Sequence, residues 1–306
     1  MMKKAFLIFL SFVLFPSWGI AVEDAEKPIF EKNSLYQYIL VIDNATKRER
    51  YIRNNKREVR QGGVSLDAPD KLLFEYTKMA FVSLAFMERE PKEVLFVGLG
   101  AGSMPRYFHK YYPEANVDVV EIDPDIVSVA KKYFYFKEDT KMKVYVNDGR
   151  LFIKRTPKKY DMIFLDAYQN DYIPFHLTTL EFLKEVRSRL KDDGVVVSNI
   201  LSEYRNKFFD SMVVTYRKAF PNVYIFPGQR SRNFIFIATA SKKMRNRESI
   251  MADARNTQRY RKLDIDLTGI ADSCEYSSVY EQKSAKVLTD DFAPVNLYKY
   301  QKSGDK

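Results

Sequence analysis

A glycine-rich turn and a carboxylate that follows the next apolar run are the residues of this chain best suited to bind a nucleoside. Gly98, Gly100 and Gly102 follow an apolar run of strand length, and Glu121 ends a second such run. Glycines let the backbone approach a ligand, and a carboxylate at the tip of the next strand can accept both ribose hydroxyls. The third glycine comes one place earlier than in a GxGxxG dinucleotide motif, which would have it at Ser103. The spacing favours an adenosyl-sulfonium ligand over a pyrophosphate, with a tight β–α turn as the structural alternative.

Two further acids end apolar runs in the same way. Asp148 is followed by Gly149, and Asp166 ends the next run along the chain. A carboxylate in the first position can accept from an adenine amine, and one in the second would lie beside the reacting carbon or amine. Each aspartate could instead be a helix N-cap. Because four candidate sites follow four successive predicted strands, ligand binding explains the set better than capping does.

Apolar runs alternate with helical patterns through the middle of the chain, which predicts an α/β fold. Strands are predicted at 93–98, 117–121, 142–147, 161–166 and 194–199, and helices at 103–111, 124–134, 149–155, 178–191 and 205–219. This alternation predicts a parallel sheet with helices on both faces and ligands at the carboxyl ends of its strands. The runs at 222–226 and 233–238 are too close for a crossover, so they should pair as an antiparallel hairpin. Such a Rossmann-like sheet with a terminal hairpin resembles that of the class I methyltransferases.

The segments on either side of this sheet complete the predicted domain organisation. Strands are predicted at 36–42, 49–52 and 58–64, after a polar linker at 24–32, and they form a small N-terminal β domain. Helices are predicted at 70–87 and in the basic segment 241–262. The predicted division is a signal peptide at 1–21, linker and β domain at 22–69, a nucleoside-binding domain at 70–240, and a basic helix with a C-terminal tail at 241–306.

The composition is that of a globular protein and excludes several kinds of site. The chain has 306 residues, 46% of them hydrophobic and 29% charged, with a net charge of +10. Its basic clusters are interspersed with acids, which favours solvated faces over a nucleic-acid interface. Cys274 is the only cysteine, and with two histidines it leaves too few ligands for a His/Cys metal site.

The N-terminus has the pattern of a secretory signal. Lys3 and Lys4 precede an apolar core at 5–15, and residues 19–21 form a small-x-small cleavage site that ends at Ala21. The core is too short to span a bilayer. We therefore expect an exported protein, periplasmic or secreted, with no membrane span after cleavage. An uncleaved N-terminal anchor is the alternative.

Residues 36–201 resemble the spermidine/spermine synthases, the polyamine aminopropyltransferases, and look closer to their divergent bacterial spermidine synthase-like members. The positions that match the family are Tyr36-Gln37, Gln61, Tyr76-Thr77-Lys78-Met79, the glycine turn at 98–103, Glu121, Asp148-Gly149 and Asp166. The resemblance implies transfer of an aminopropyl group from decarboxylated S-adenosylmethionine, a co-substrate and not a permanently bound cofactor, to a small-molecule amine. It also implies a homodimer.

The same resemblance implies a role for each matched residue. Asp166 would be catalytic and would deprotonate or orient the amine. The nucleoside would be held by Gln37, Gly98, Gly100, Gly102, Glu121, Asp148 and Gly149. Gln61, Tyr76 and Asp171 would contact the substrate.

Departures from the family pattern concentrate in the amine half of the predicted site. Ala101 replaces an aspartate that would face the cationic end of the donor, and Thr77 and Lys78 replace a histidine and a glutamate. Gln169 stands where the family has a second aspartate, for which Asp171 is the candidate substitute across a short insertion. Because a polyamine site binds ammonium groups through carboxylates, we expect weak or absent spermidine formation.

Two other functions remain open from the sequence. One is an S-adenosylmethionine-dependent methyltransferase, and the other is a non-catalytic exported protein that binds a nucleoside or polyamine. The signal sequence favours the latter, since a sulfonium donor is not expected outside the cytoplasm. His176 is either a general base or the start of a helix before Thr178.

Overall fold

The computed structural model describes most of the chain between residues 26 and 292. The described ranges are 26–53, 60–168, 173–201, 208–231, 233–276, 280 and 285–292. The predicted signal peptide, Gln169 and Asp171 lie outside these residues. Within them, no helix is both long and apolar enough to cross a membrane.

The N-terminal part forms a four-stranded antiparallel sheet in the order β1-β2-β3-β4. Its strands are β1 (Glu26–Asn33), β2 (Tyr38–Asn44), β3 (Glu49–Arg53) and β4 (Arg60–Ser65). The linker predicted at 24–32 is wrong, because residues 26–33 form edge strand β1, paired with β2. Its polar composition hides the strand, since an antiparallel edge strand can leave one face in water. Only Ile29 and Phe30 pack against the core, and backbone pairing with β2 supplies the rest.

The main sheet has eight strands in the order β12-β10-β11-β9-β8-β5-β6-β7. They are β5 (Glu93–Val97), β6 (Asn116–Glu121), β7 (Met142–Val146), β8 (Tyr160–Leu165), β9 (Leu190–Leu201), β10 (Asn222–Pro227), β11 (Asn233–Thr239) and β12 (Glu275–Tyr276). Strands β5 to β9 are parallel, whereas β11 runs antiparallel to β9 and β10. This arrangement confirms the α/β class and the terminal antiparallel hairpin. The short strand β12 was not predicted.

The helices flank this sheet and mostly coincide with the predicted segments. They are α1 (Glu75–Ala80), α2 (Ser103–Tyr111), α3 (Pro124–Tyr133), α4 (Gly149–Arg155), α5 (Leu180–Ser188), α6 (Phe209–Ala219), α7 (Arg247–Arg261) and α8 (Leu267–Asp272). The helix predicted at 70–87 is much shorter, because the chain tightens into a 3₁₀ turn at Phe81–Phe86. All six residues of that turn are buried, so packing and not amphipathic spacing sets its geometry.

Because β5 to β9 are parallel, their carboxyl ends lie at one edge of the sheet, and hydrophobic cores cover both of its faces. In the middle of the sheet the rings of Phe96 and Phe164 stack with centroids 4.4 Å apart. The N-terminal sheet covers this edge, where Ser103 Oγ donates to Gly63 O at 2.9 Å and Ser34 Oγ donates to Asp123 Oδ2 at 2.6 Å. A cavity is left between the two sheets.

Candidate active site

The cavity lies at the carboxyl ends of the parallel strands and has a volume of about 740 Å³. That size is in the range of small-molecule sites. Predicted site residues that line it are Gln37, Gln61, Tyr76, Gly98, Gly100, Glu121, Asp148, Gly149 and Asp166. Gly102 does not line it: the residue lies behind the turn with φ of 68°, where an added Cβ would be 2.6 Å from the Phe136 ring. Asp171 lies outside the described residues.

Gly98 allows the ends of β5 and β8 to approach each other closely. Its φ is 101°, and an added Cβ would lie 2.3 Å from the carbonyl oxygen of Asp166. The backbone nitrogen of Asp166 donates to Val97 O at 2.9 Å. The first glycine of the turn is therefore needed to place Asp166 as well as to admit a ligand.

Glu121 ends β6 and presents a buried carboxylate to the cavity. Its Oε2 accepts from the backbone nitrogen of Leu99 at 2.9 Å, and its Oε1 accepts from that of Asp123 at 3.0 Å. Burial raises the pKa of Glu121, and these two amide donors oppose the increase. A carboxylate has about four acceptor positions, so each oxygen can take a further donor. Two neighbouring hydroxyls of a ribose match that need.

Gln37 supplies a second feature that calls for a ligand. Its side-chain oxygen is buried and, within the described part of the chain, has no hydrogen-bond partner. The backbone is held in place because Ser34 N donates to Gln37 O at 2.9 Å. Buried acceptors in native proteins are nearly always satisfied. A ligand carrying an N–H or O–H group would satisfy this one.

Asp148 lines the cavity and also caps a helix, so the predicted adenine contact stays open while the N-cap is present. It lines the cavity, and its Oδ1 caps α4 by accepting from Leu151 N at 2.9 Å. Its Oδ2 lies 3.0 Å from Nε2 of His176, in the 3₁₀ turn Phe175–Leu177. The hydrogen bond with His176 lowers the pKa of Asp148 below its ordinary value. His176 thus lines the cavity with its ring engaged by Asp148.

Asp166 lies after β8 and is fixed by a chain of two amide side chains. Asn199 Nδ2 donates to Asp166 Oδ1 at 2.8 Å, and Asn233 Nδ2 donates to Asn199 Oδ1 at 2.7 Å. The second bond fixes which end of the Asn199 amide faces Asp166. Burial raises the pKa of Asp166 to about 7, although the bond from Asn199 lowers it. A carboxylate with this pKa can exchange a proton near neutral pH.

Two half-buried tyrosines form the wall beside Asp166. Tyr76 Oη donates to Gln61 O at 3.1 Å, and Tyr168 Oη donates to Asn199 O at 2.7 Å. Burial, followed by the charge of Asp166, raises the pKa of both phenols well above the usual value. Both hydroxyls therefore stay protonated and act as donors and as rigid walls, not as bases.

Several residues of the cavity wall were missed from the sequence. They are Asn147, Asn199, Arg230, Ser231 and Asn233. Asn199 could have been found, since it lies near the carboxyl end of the fifth predicted strand and the same rule selected Asp166 on the fourth. Asn233 begins a strand that runs antiparallel to β9, so its amino end reaches this edge. Only the pairing of β11 with β9 shows that Asn233 lies at the cavity.

Comparison with known proteins agrees with this geometry. Residues 73–248, more than half of the chain, match the family model of the spermine/spermidine synthase domain. A polyamine aminopropyltransferase from Vibrio vulnificus is 34% identical over 277 residues, which cover 89% of this chain and 91% of the relative.

Two solved structures extend the comparison. The crystal structure of a probable spermidine synthase from Corynebacterium glutamicum superposes with a TM-score of 0.69 at 22% identity, over 85% of this chain and 96% of that one. Human methyltransferase-like protein 13, in complex with SAH, has a TM-score of 0.58 at 25% identity, over 62% of this chain and 94% of that one. The match to the family model and the extent of the Vibrio relative establish the family: this chain belongs to the spermine/spermidine synthases.

Proposed function

We propose that the protein transfers an aminopropyl group from decarboxylated S-adenosylmethionine to a small-molecule amine. The observation that carries the proposal is Asp166, a partly buried carboxylate with a pKa near 7 in a nucleoside-sized cavity. The same cavity holds Glu121, which has acceptor positions left for a ribose. A base and a nucleoside holder in one cavity suit attack by an amine on an adenosyl sulfonium.

Asp166 would act on the attacking amine. The amine nitrogen attacks the methylene carbon bonded to the sulfonium sulfur, and a C–N bond forms as the C–S bond breaks. The electron pair of that bond returns to sulfur, so neutral methylthioadenosine leaves. The attacking nitrogen then loses its proton to Asp166, which Asn199 holds in position at 2.8 Å.

The remaining wall residues would hold and orient the donor. Glu121 would accept the ribose hydroxyls, and the unpartnered oxygen of Gln37 would accept a donor of the nucleoside. Asp148 and the backbone at Gly149 would lie against the adenine. The donor is a co-substrate that leaves as product, so the proposal requires no resident cofactor.

The proposal is tested by incubating the mature protein with decarboxylated S-adenosylmethionine and a panel of amines. Mass spectrometry should detect methylthioadenosine together with an aminopropylated amine. Asp166→Asn should lose this product but still bind methylthioadenosine, because the proposed nucleoside contacts are made by other residues. Product formation that survives Asp166→Asn would overturn the assignment of the base. Tight binding without product in the unmodified protein would support the non-catalytic alternative.

Methyl transfer is the second candidate, and Ala101 favours it. The residue is buried where the family has an acid for the cationic end of the aminopropyl donor. Its loss removes a feature specific to aminopropyl transfer, whereas the nucleoside contacts are kept. S-adenosylmethionine offered as the only donor would distinguish the two reactions: a methylated acceptor with S-adenosylhomocysteine as the second product would favour this candidate.

We also propose that the protein is exported after cleavage behind Ala21. The support is the basic, apolar and small-residue pattern of residues 1–21. N-terminal sequencing of the protein from its native host should find a mature chain that begins at Val22. An intact Met1 on a soluble cytosolic protein would contradict this proposal.

A further inference from the structure

The charges that line the cavity are unequal at its two ends. Its acidic side chains are Glu75, Glu121, Asp148 and Asp166, and its basic side chains besides His176 are Arg60, Lys78 and Arg230. A polyamine with ammonium groups at both ends would need carboxylates at both ends of its path. The charges of the described lining residues do not provide that pattern.

Three of the four acids are held by backbone amides or by His176, whereas Asp166 accepts from the neutral side-chain amide of Asn199. Glu75 Oε2 accepts from the backbone nitrogens of Arg230 and Ser231 at 2.8 and 2.6 Å. Asp148 pairs with His176, and Glu121 is committed to the nucleoside end. In the described part of the wall, this leaves Asp166 as the acid available to an amine.

Of the three basic side chains, one is paired with carboxylates of the described residues and two are not. Arg60 forms ion pairs with Glu49 and Glu26 at 3.0 and 3.5 Å. Neither Lys78 nor Arg230 forms a salt bridge among the described residues, and both line the cavity, Lys78 as a half-buried and Arg230 as an exposed residue. Each therefore offers an unneutralised positive charge to whatever occupies the cavity.

The topology places these two cations on the acceptor side of Asp166. In the sheet order, β5 and β6 with Glu121 lie on one side of β8, and β9 and β11 lie on the other. Arg230 precedes β11 in a turn that Glu75 of α1 holds, and Lys78 lies one helical turn after Glu75. The same turn leads to Asn233, which reaches Asp166 through Asn199.

We infer that the acceptor is an amine that carries a carboxylate at its far end, and that Lys78 and Arg230 bind this carboxylate. The inference rests on the proposed aminopropyl transfer and specifies the class of acceptor. The amine would attack beside Asp166 as described, while the carboxylate would neutralise the two cations. A diamine would instead bring its second ammonium against them, and like charges held close repel. Lys78 in place of the family's glutamate fits this exchange of charge.

The inference is tested with two acceptors that differ only in the distal charge. Putrescine and 5-aminopentanoate both have an amine separated by four methylene groups from the second charged group. Their binding to the mature protein saturated with methylthioadenosine is measured by calorimetry, and their turnover with decarboxylated S-adenosylmethionine is followed by mass spectrometry. We expect 5-aminopentanoate to bind about tenfold more tightly or better.

Charge variants identify the residues responsible. Lys78→Glu should reverse the preference, so that putrescine binds more tightly. Arg230→Gln should reduce the preference for 5-aminopentanoate without reversing it. Lys71→Glu, at an exposed lysine outside the cavity, makes the same charge change and should leave the ratio unaltered. The Arg230 variant keeps the test decisive if Lys78→Glu does not fold.

Three results would overturn the inference. The first is tighter binding of putrescine by the unmodified protein, and the second is a binding ratio that neither cavity variant changes. The third is a Lys78→Glu effect confined to the affinity of intact S-adenosylmethionine, which would assign the cations to a donor carboxylate. Absence of product from both acceptors and from the whole amine panel would refute the proposed reaction, whereas the binding ratio would still decide the charge of the bound amine.

Discussion

Replacement of Asp166 by asparagine should stabilise the protein at alkaline pH while it removes the proposed base. The carboxylate is partly buried beside Tyr76 and Tyr168 and accepts one hydrogen bond, from Asn199, at 2.8 Å. Asparagine has the same shape, can accept the same bond and carries no charge. The variant therefore avoids the desolvation of a buried anion.

The magnitude follows from the pKa of Asp166. Burial raises it from 3.8 to about 7, so the folded protein favours the protonated form. The stability that this shift contributes is complete below the unfolded pKa and is lost as the pH rises through 7. About three pH units at about 1.4 kcal/mol each amount to about 4 kcal/mol in total. About 2.5 kcal/mol of this change should fall between pH 5 and pH 8.

The assay is urea unfolding of wild type and Asp166→Asn at several pH values. The other carboxylates titrate in both proteins, so the difference between the two unfolding free energies isolates residue 166. That difference should grow in favour of the variant as the pH rises. A difference that stays constant, or that turns against the variant, would refute a raised pKa for Asp166 and with it the argument for a base.

Asp161 is the control because it is a buried aspartate in the opposite electrostatic setting. Burial alone would raise its pKa, but Lys191 Nζ at 2.7 Å and the backbone nitrogens of Lys92 and Glu93 lower it. Its contribution to stability is present above the unfolded pKa and is lost as the pH falls. Asp161→Asn should therefore destabilise the protein at pH 8, where Asp166→Asn stabilises it.

Three further predictions follow from the geometry of the cavity. Glu121→Ala should weaken the binding of methylthioadenosine at least about tenfold, because it removes a charged hydrogen bond worth roughly 1.5–3 kcal/mol. It should also abolish most of the increase in melting temperature that the ligand produces. Unchanged affinity would exclude a ribose contact. Asn199→Leu should move the acidic limb of the pH profile of kcat/KM upward by about one pH unit, because it removes the donor that lowers the pKa of Asp166. An acidic limb at the same pH would contradict this. Gly98→Ala should cost about 2 kcal/mol or more in chemical denaturation, since φ is 101° and the new Cβ would meet Asp166 O at 2.3 Å. Gly100→Ala should cost less, because nothing lies within 4 Å of the added Cβ.

The sequence by itself was sufficient for the parts of this protein that depend on local patterns. Alternating apolar runs predicted the parallel strands and the hairpin, because the period of a strand or helix is written into neighbouring residues. The rule that ligands gather at the carboxyl ends of parallel strands then selected Glu121, Asp148 and Asp166. These residues line one cavity in the structure. Their roles remain predictions for the experiments above.

Only the tertiary structure decided the features that join distant segments. Strand β1 is polar and forms through pairing with β2, and the 3₁₀ turn at Phe81–Phe86 follows from burial on all sides. The chain from Asn233 through Asn199 to Asp166 spans three strands, and no local period encodes it. The same holds for the unneutralised cations beside it. A side chain's partners, and hence its pKa and its free charge, depend on which strands become neighbours in the sheet, and that is decided by packing over the whole chain.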